Sequence, residues 1–379
     1  MGSIHAHEVS NRGFAIVADD LTGACDSAVA FTQRGKTVEV LLKEGAEPSL
    51  ADVVAISTAS RDLTAEVAAE RVRNALSKAS GRGEVFKKVD SVFRGNSFVE
   101  IRAALECLPY DLALLSPAYP AMGRTVRDGV LQVCEAGQSR SVNLCAGLYE
   151  AGVNDVALHS VAASGRSLRD VTETGRRVVL CDARSDEDLM LTVEKARNVA
   201  QRVLWIGSGG LAHALASTLP RIEPSQKSWG SGGPVVLFVG SDHAVTRQQL
   251  ERLTESTAAP VQEASIEDFT EGSSDFQVLI LKVPRLTSEA LVGRALSCLA
   301  TRGIGCCLMT GGDTAALLCR ASGADSLRLT EEFRPGLPQG VVQGGTLDQV
   351  PVVLKSGGFG KEDVLREFVG RFATRKELV

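Results

Sequence analysis

Residues that could do chemistry are concentrated in two kinds of loop in this 379-residue chain. The first kind is rich in charge. Asp19-Asp20-Leu21-Thr22-Gly23 sets two adjacent carboxylates between a short apolar run and a helical window. An aspartate beside an alcohol can act as general base for attack on phosphorus. The competing account is that Asp20 or Thr22 caps the helix. Ser60-Arg61-Asp62 offers a guanidinium fork for a carboxylate, or a solvated surface arginine. Lys87-Lys88-Val89-Asp90-Ser91-Val92-Phe93-Arg94-Gly95-Asn96 is the densest cluster, with three cations, a carboxylate, a serine and an asparagine. Such a segment can clamp an anionic polyol or form a salt-bridged turn. Gly123-Arg124-Thr125, after two prolines, adds a further cation or leaves Arg124 in solvent.

The second kind of loop is rich in glycine. Gly240-Ser241-Asp242-His243, Thr310-Gly311-Gly312-Asp313-Thr314 and Lys355-Ser356-Gly357-Gly358-Phe359-Gly360 each follow an apolar run and precede a helical window. Glycine permits close approach of backbone N–H groups to a polyphosphate, and a helix N-terminus favours anionic oxygens. Ser241 either bonds a nucleotide or caps its helix, and Asp313 either orients Mg²⁺ or caps. Lys355 suits phosphates or an adenine edge. The charged loops therefore fit a polar substrate and the glycine loops a polyphosphate.

These loops need strands to hold them. Phe14–Ala18, Thr37–Leu42, Val53–Ser57, Val85–Lys88, Leu112–Ser116, Val178–Cys181 and Val203–Ile206 read as strands. Helical windows at Thr22–Arg34, Thr64–Ser77, Asp186–Gln201 and Gly209–Leu219 alternate with them. Arg221–Gly233 is polar and rich in Pro, Ser and Gly, as a linker should be. The pattern then restarts with strands at Pro234–Val239, Val278–Val283, Cys306–Met309 and Val352–Lys355. Helices are expected at Thr246–Leu253, Ser288–Thr301, Ala315–Ala321 and Lys361–Phe372. The reading is α/β with two domains, 1–225 and 233–379, each a mostly parallel sheet flanked by helices. Ligands of such sheets bind beyond the carboxyl ends of the strands, so an active site in a cleft between the domains is expected.

Composition narrows the classes. Aromatic content of 4% leaves few stacking platforms for single-stranded nucleic acid. A net charge of −5 with no long basic run disfavours nucleic acid and anionic membranes as partners. No window approaches the roughly 18 apolar residues of a membrane span. Met1–Val9 lacks an apolar signal core and reads as a disordered lead-in. Nine scattered cysteines read as reduced core thiols, with a cytoplasmic location expected. The five histidines show no metal-ligand spacing, so no zinc site is expected. A GxxxxGK[ST] loop and the protein-kinase HRD and DFG motifs are absent, and Gly207-Ser208-Gly209-Gly210 is not a GxGxxG fingerprint.

In combination the motifs resemble the four-carbon acid sugar kinases, formerly a domain of unknown function. The carriers are Ala18-Asp19-Asp20-Leu21-Thr22-Gly23-Ala24, the Lys87–Asn96 loop, Ser116–Thr125, Gly311–Ala315, Arg334-Pro335-Gly336-Leu337-Pro338 and Lys355–Gly360. The resemblance spans essentially the whole chain. It implies an ATP-dependent kinase with an N-terminal sugar-acid domain and a C-terminal nucleotide domain. The implied sugar-acid contacts are Asp20, Arg61 and the Asp90–Arg94 loop. The implied ATP contacts are Ser241, the Gly311–Thr314 loop and Gly358. Val92 and Phe93 stand where the family usually has threonine and leucine, and Asp242 and His243 where it has small residues.

The expected reaction is transfer of the γ-phosphoryl group of ATP, with Mg²⁺, to a terminal hydroxyl of threonate, erythronate or 3-oxo-tetronate. Asp20 or Asp90 takes the hydroxyl proton. Asp19, Arg61, Lys88, Ser91, Arg94, Gly95, Asn96 and Arg124 surround the acid. Ser241, Gly311, Gly312, Asp313, Thr314, Lys355, Gly357 and Gly358 hold the nucleotide, with no residue assigned as metal ligand. A homodimer is compatible with a metabolic enzyme, and no segment demonstrates it. The rival readings are an aspartate-nucleophile phosphatase, whose DxDxT spacing is not met, and a non-catalytic sugar-acid sensor, for which no DNA-reading module is present.

Overall fold

The computed structural model describes residues 13–43, 50–79, 81–135, 138–160, 167–173, 175, 177–222, 233–256, 260–269 and 275–373. The expected lead-in at Met1–Val9 and most of the expected linker at Arg221–Gly233 lie outside the described residues. The chain divides into two compact units, Met1–Val38 with Ser49–Pro224, and Glu39–Pro48 with Ser225–Val379.

The strands of the N-terminal half are β1 (Phe14–Ala18), β2 (Val38–Leu41), β3 (Val53–Ser57), β4 (Glu84–Lys88), β5 (Leu112–Ser116), β6 (Arg124–Arg127), β7 (Val130–Glu135), β8 (Gln138–Asn143), β9 (Val156–Ser160), β10 (Val178–Asp182) and β11 (Val203–Gly207). Its helices are α1 (Leu21–Val29), α2 (Ala65–Ala79), α3 (Ser97–Cys107), α4 (Leu144–Glu150), α5 (Leu168–Glu173), α6 (Asp186–Val199) and α7 (Gly209–Ser217). Seven strands pair in parallel in the order β3-β1-β4-β11-β5-β10-β9. β1 and β5 are buried along their whole length, the signature of strands covered on both faces. In α2 the buried residues Ala68, Ala69, Val72, Ala75, Leu76 and Ala79 repeat at helical spacing and form the stripe that meets the sheet.

Besides β9, α4 and α5, which were not among the expected elements, two features differ from expectation. The helix expected over Thr22–Arg34 starts at Leu21, ends at Val29 and tightens into a 3₁₀ turn over Ala30–Arg34, closed by Gly35 at φ 68°. A separate antiparallel sheet, β6-β7-β8, follows β5. It was not anticipated because β8, Gln-Ser-Arg-Ser-Val-Asn, carries almost no apolar pattern.

The second unit has β12 (Val235–Val239), β13 (Val261–Ser265), β14 (Val278–Lys282), β15 (Cys306–Thr310), β16 (Ser326–Arg334), β17 (Leu337–Gln343) and β18 (Pro351–Lys355). Its helices are α8 (Ala244–Ser256), α9 (Glu289–Arg302), α10 (Gly312–Ser322) and α11 (Val364–Phe372). β13-β14-β12-β15-β18 are parallel, and β17 and β16 continue the sheet antiparallel. Val235, Leu237, Leu308, Val353, Leu365 and Phe368 lie at the centre of its core. The β16–β17 hairpin was not anticipated; Pro338 and Gly340 interrupt the strand pattern of β17. Its turn holds Gly336 at φ 76°. The second unit also claims the end of β2 from Glu39. Ser326 donates to Glu39, Leu42 N–H donates to Asp325 at 3.0 Å, and Lys43 pairs with Asp325.

Candidate active-site loops

In the first unit the ends of β1, β3 and β4 deliver their charged residues to one place. Arg61 is the hub. Its Nε lies 2.8 Å from Asp19 Oδ2, its Nη1 2.9 Å from Asp20 Oδ2, and its Nη2 3.3 Å from Asp90 Oδ2. Asp20 is the N-cap of α1: its Oδ1 accepts from Gly23 N at 2.8 Å and its Oδ2 from Thr22 Oγ1 at 2.7 Å. The capping account of Asp20 is therefore met, and the same carboxylate also pairs with Arg61. Asp90 accepts from Val92 N at 3.0 Å and Arg94 N at 3.2 Å, and pairs with Arg94 Nη2 at 2.8 Å.

The electrostatics separate the three aspartates. Burial opposes ionisation in each, but Arg61, Lys88, Thr22 and the Gly23 N–H outweigh it at Asp20 and hold its pKa below the usual range. Arg94, Arg61 and Lys88 likewise outweigh burial at Asp90 and hold it far down. At Asp19 burial and the neighbouring Asp20 prevail and push the pKa up, and its Oδ1 is buried without a hydrogen-bond partner. Lys88 is buried, yet its ammonium makes no hydrogen bond or ion pair among the described residues. It faces Asp20, Asp26 and Asp90 through space. A β-carbon placed on Gly23 would stand 2.9 Å from Lys88 Nζ and 2.5 Å from Asp20 Oδ1. The glycine is what lets α1 approach this charge.

Several expected contacts have other work in the fold. The fork of Arg61 was expected to meet a substrate carboxylate; here its nitrogens are taken by three aspartates. Gly95, at φ 68°, would put a β-carbon 2.5 Å from the Arg61 carbonyl, so it gives the backbone room to pass. Asn96 Nδ2 donates to the carbonyls of Ser60 and Leu63 at 3.1 and 2.8 Å and latches the Arg61 loop. Arg124 is not a solvent residue: it is buried and donates to the Met122 carbonyl. Lys87 is fully buried and pairs with Glu100 Oε2 at 2.7 Å. Of the three cations in the Lys87–Asn96 segment, Arg94 is well exposed, while Lys88 is buried at the cluster. Ser91 sits half-buried in the turn, beside Phe93 at φ 57°. A left-handed phenylalanine is uncommon and marks a loop whose shape is imposed.

Asp26 was missed. It is buried on α1, accepts from Tyr119 Oη at 3.4 Å, and burial pushes its pKa up. A lone carboxylate in Leu-Thr-Gly-Ala-Cys-Asp-Ser-Ala-Val was the available signal.

In the second unit the three glycine loops meet at the ends of β12, β15 and β18. A β-carbon on Gly240 would stand 2.0 Å from Thr314 Oγ1, and one on Gly357 would stand 2.3 Å from Ser241 Oγ. Gly311, at φ 94°, is the N-cap of α10 and provides no side-chain cap, so the first N–H groups of that helix are open to an anion. Asp313 is exposed in the first turn of α10 and does not cap it. Thr314 is buried against Gly240. Lys355 differs most from expectation. Its ammonium is buried beneath the loop and donates to Thr246 Oγ1 at 3.0 Å, the Ser356 carbonyl at 3.2 Å and the Gly357 carbonyl at 3.0 Å. Gln249 Nε2 donates to the carbonyls of Phe359, Gly360 and Lys361 at 3.0–3.1 Å. Two side chains thus draw five carbonyls onto themselves, which disposes the loop to offer N–H groups to a ligand. Thr246 and Gln249 were missed because nothing in the helical pattern of α8 distinguishes them.

Comparison with known proteins finds matches in both halves of the chain. A model described as a sugar-binding N-terminal domain matches residues 14–145 and 143–215, and one described as a nucleotide-binding C-terminal domain matches residues 282–365. A D-threonate kinase of Bordetella bronchiseptica is 34% identical over 92% of this chain and 95% of its own length. A 3-oxo-tetronate kinase of Cupriavidus necator is 30% identical over 93% and 95%, and a D-erythronate kinase of Heliobacterium modesticaldum 27% over 92% and 94%. A solved Haemophilus influenzae protein shares the fold with a TM-score of 0.71 at 22% identity, covering 94% of this chain and 100% of that one. The end-to-end match to the threonate kinase, with the sugar-binding model over the first half, shows that the chain belongs to the four-carbon acid sugar kinase family.

Proposed function

We propose that the protein transfers the γ-phosphoryl group of ATP to a terminal hydroxyl of a four-carbon sugar acid of the threonate, erythronate or 3-oxo-tetronate type. The observation that carries this reading is the Arg61 hub: three aspartates on one guanidinium, beside the buried ammonium of Lys88, at the carboxyl ends of parallel strands. Carboxylates suit the hydroxyls of a polyol, and Lys88 with Arg94 suits its carboxylate. The open N-terminus of α10 and the Ser356–Gly360 loop suit the ATP phosphates. Mg²⁺ takes one or two carboxylates and completes its shell with phosphate oxygens and water. Asp313, exposed and uncommitted as a cap, fits that role. The ion would supply neutralisation of charge on the β- and γ-phosphates.

Asp20 and Asp90 are weak bases with most of their oxygens already engaged. Phosphoryl transfer passes through a loose transition state, in which positioning counts for more than early deprotonation. The role that fits them is to accept the hydroxyl hydrogen bond and fix its direction, with the proton arriving late.

A coupled ADP-release screen with Mg²⁺-ATP against isomers of the three acids tests the proposal. Strong release with one acid is expected. ATP binding without release for any of them would move the acceptor outside this class. Loss of both would remove the kinase reading, and release without any acid would favour a phosphatase-like hydrolysis.

A further inference from the structure

The antiparallel sheet β6-β7-β8 stands apart from the parallel strands, yet it reaches the Asp90–Arg94 loop. Its register sets Arg124, Val133 and Arg140 in one row and Val126, Leu131 and Val142 in the next. Arg124, Val126, Leu131 and Val133 are buried, while Gln132, Cys134, Ser139 and Ser141 on the other face are exposed. Directly opposed residues of an antiparallel pair share a face, so Arg140 projects from the covered face of β8. Its Nη2 donates to the Val92 carbonyl at 2.5 Å. Directly after β8, α4 brings Gly147 against Phe98, where a β-carbon on the glycine would stand 2.2 Å from Phe98 Cζ. Phe98 in turn meets Phe93, with ring centroids 4.8 Å apart.

These contacts converge on the turn that wraps Asp90. The N–H groups of Val92 and Arg94 donate to Asp90 Oδ1, and that of Phe93 donates to the Asp90 carbonyl at 3.0 Å. The Val92 carbonyl and the Phe93 N–H belong to one planar trans peptide and point in opposite directions. Holding the carbonyl outward therefore holds the N–H inward, on Asp90. Phe93 sits at φ 57°, a conformation its β-carbon opposes. Arg140 and the Phe93–Phe98 contact offset that cost.

We propose that Arg140 is a positioning residue for the sugar-acid site: by holding the Val92 carbonyl it keeps residues 92–94 wrapped on Asp90 and so sets where that carboxylate stands. The inference rests on the sugar-acid reading above and adds a residue of β8 that acts through the loop. Arg140 is exposed, a position where substitution seldom threatens the fold.

Arg140→Met is expected to raise KM for the acid and lower kcat, each about three- to tenfold, while KM for ATP stays within about twofold. Arg140→Lys keeps a donor for the carbonyl and should recover most of the loss. Glycine adopts the left-handed conformation freely, so in a Phe93→Gly background the effect of Arg140→Met should shrink to within about twofold. Amide exchange across residues 92–94 of the ligand-free protein should quicken about tenfold in Arg140→Met and stay near wild type in Arg140→Lys. Kinetic constants for the acid within about twofold of wild type in Arg140→Met would overturn the inference. So would a matching rise in KM for ATP, an undiminished effect in the Phe93→Gly background, or unchanged exchange. Failure of the underlying reading looks different: the wild-type protein would release ADP with none of the acids, while the exchange comparison would still decide whether Arg140 holds the turn.

Discussion

Asp20 shows how much one residue can carry. Its carboxylate caps α1, accepts from Thr22 and holds one branch of Arg61. Asn in its place keeps an oxygen for the Gly23 N–H but turns an amide donor toward a guanidinium. Asp20→Asn should therefore lower kcat about 10²- to 10⁴-fold while KM for ATP stays within about threefold. Near-normal turnover would remove Asp20 from the reaction. Lys355 makes a prediction about pH. Burial pulls its pKa down to about 7. In the unfolded chain a lysine titrates near about 10.4, so above pH 7 the unfolded state binds more protons than the folded one. This group's contribution to stability consequently rises as pH increases through 7, as the cost of a buried charge is relieved. From about pH 6 to about pH 8.5 the wild type should gain roughly 2 kcal/mol on Lys355→Met in urea unfolding. Parallel pH slopes for the two proteins would show that Lys355 does not titrate there.

Elements are joined beneath the site by buried polar contacts that strand and helix patterns do not reveal. Lys87 on β4 pairs with Glu100 on α3, Ser60 Oγ lies 2.6 Å from Glu100 Oε1, and Thr58 Oγ1 lies 2.6 Å from Ser60 Oγ. The ends of β3 and β4 are thereby fixed relative to α3. Removing one partner leaves a buried charge uncompensated. Lys87→Met should cost about 3 to 5 kcal/mol, and the double variant Lys87→Met with Glu100→Gln should recover more than half of that. If the double variant is as unstable as the single one, packing around the Lys87 stem outweighs the ion pair. Most of the elements themselves were legible. β3 and β5 occupy the expected residues, and Ser288 caps α9 where the helix was expected to begin. The elements missed include β8, which lacks an apolar rhythm, and β17, whose strand pattern is interrupted by Pro338 and Gly340.

At the scale of the molecule, each unit has its own set of parallel strands and its own fully buried strands. Ligands that bind different units should leave different footprints. Mg²⁺-ATP is expected to slow amide exchange in the Gly311–Thr314 and Ser356–Gly360 loops. The sugar acid should protect Asp19–Gly23 and Asp90–Gly95. At one hundred times its Kd, either ligand should add about 2.7 kcal/mol to folding stability. Protection of the Asp19–Gly23 loop by nucleotide alone would reverse the proposed division of labour.

The sequence by itself determined the alternation of strand and helix, and with it the α/β class. It also determined the loops at strand ends and the family, because these depend on local apolar periodicity and on short motifs. Only the tertiary structure decided which charges are free. Lys87 and Lys88 are neighbours in sequence, yet one is buried in an ion pair and the other faces a cluster of carboxylates. Asp19 and Asp20 are shifted in opposite directions, although both meet Arg61. Successive side chains at the end of a strand point to opposite sides of the sheet, and desolvation and partners differ on the two sides. The partner of Lys87 is Glu100 on α3, and the partner of both aspartates is Arg61, more than 40 positions away, which no local pattern could bring together.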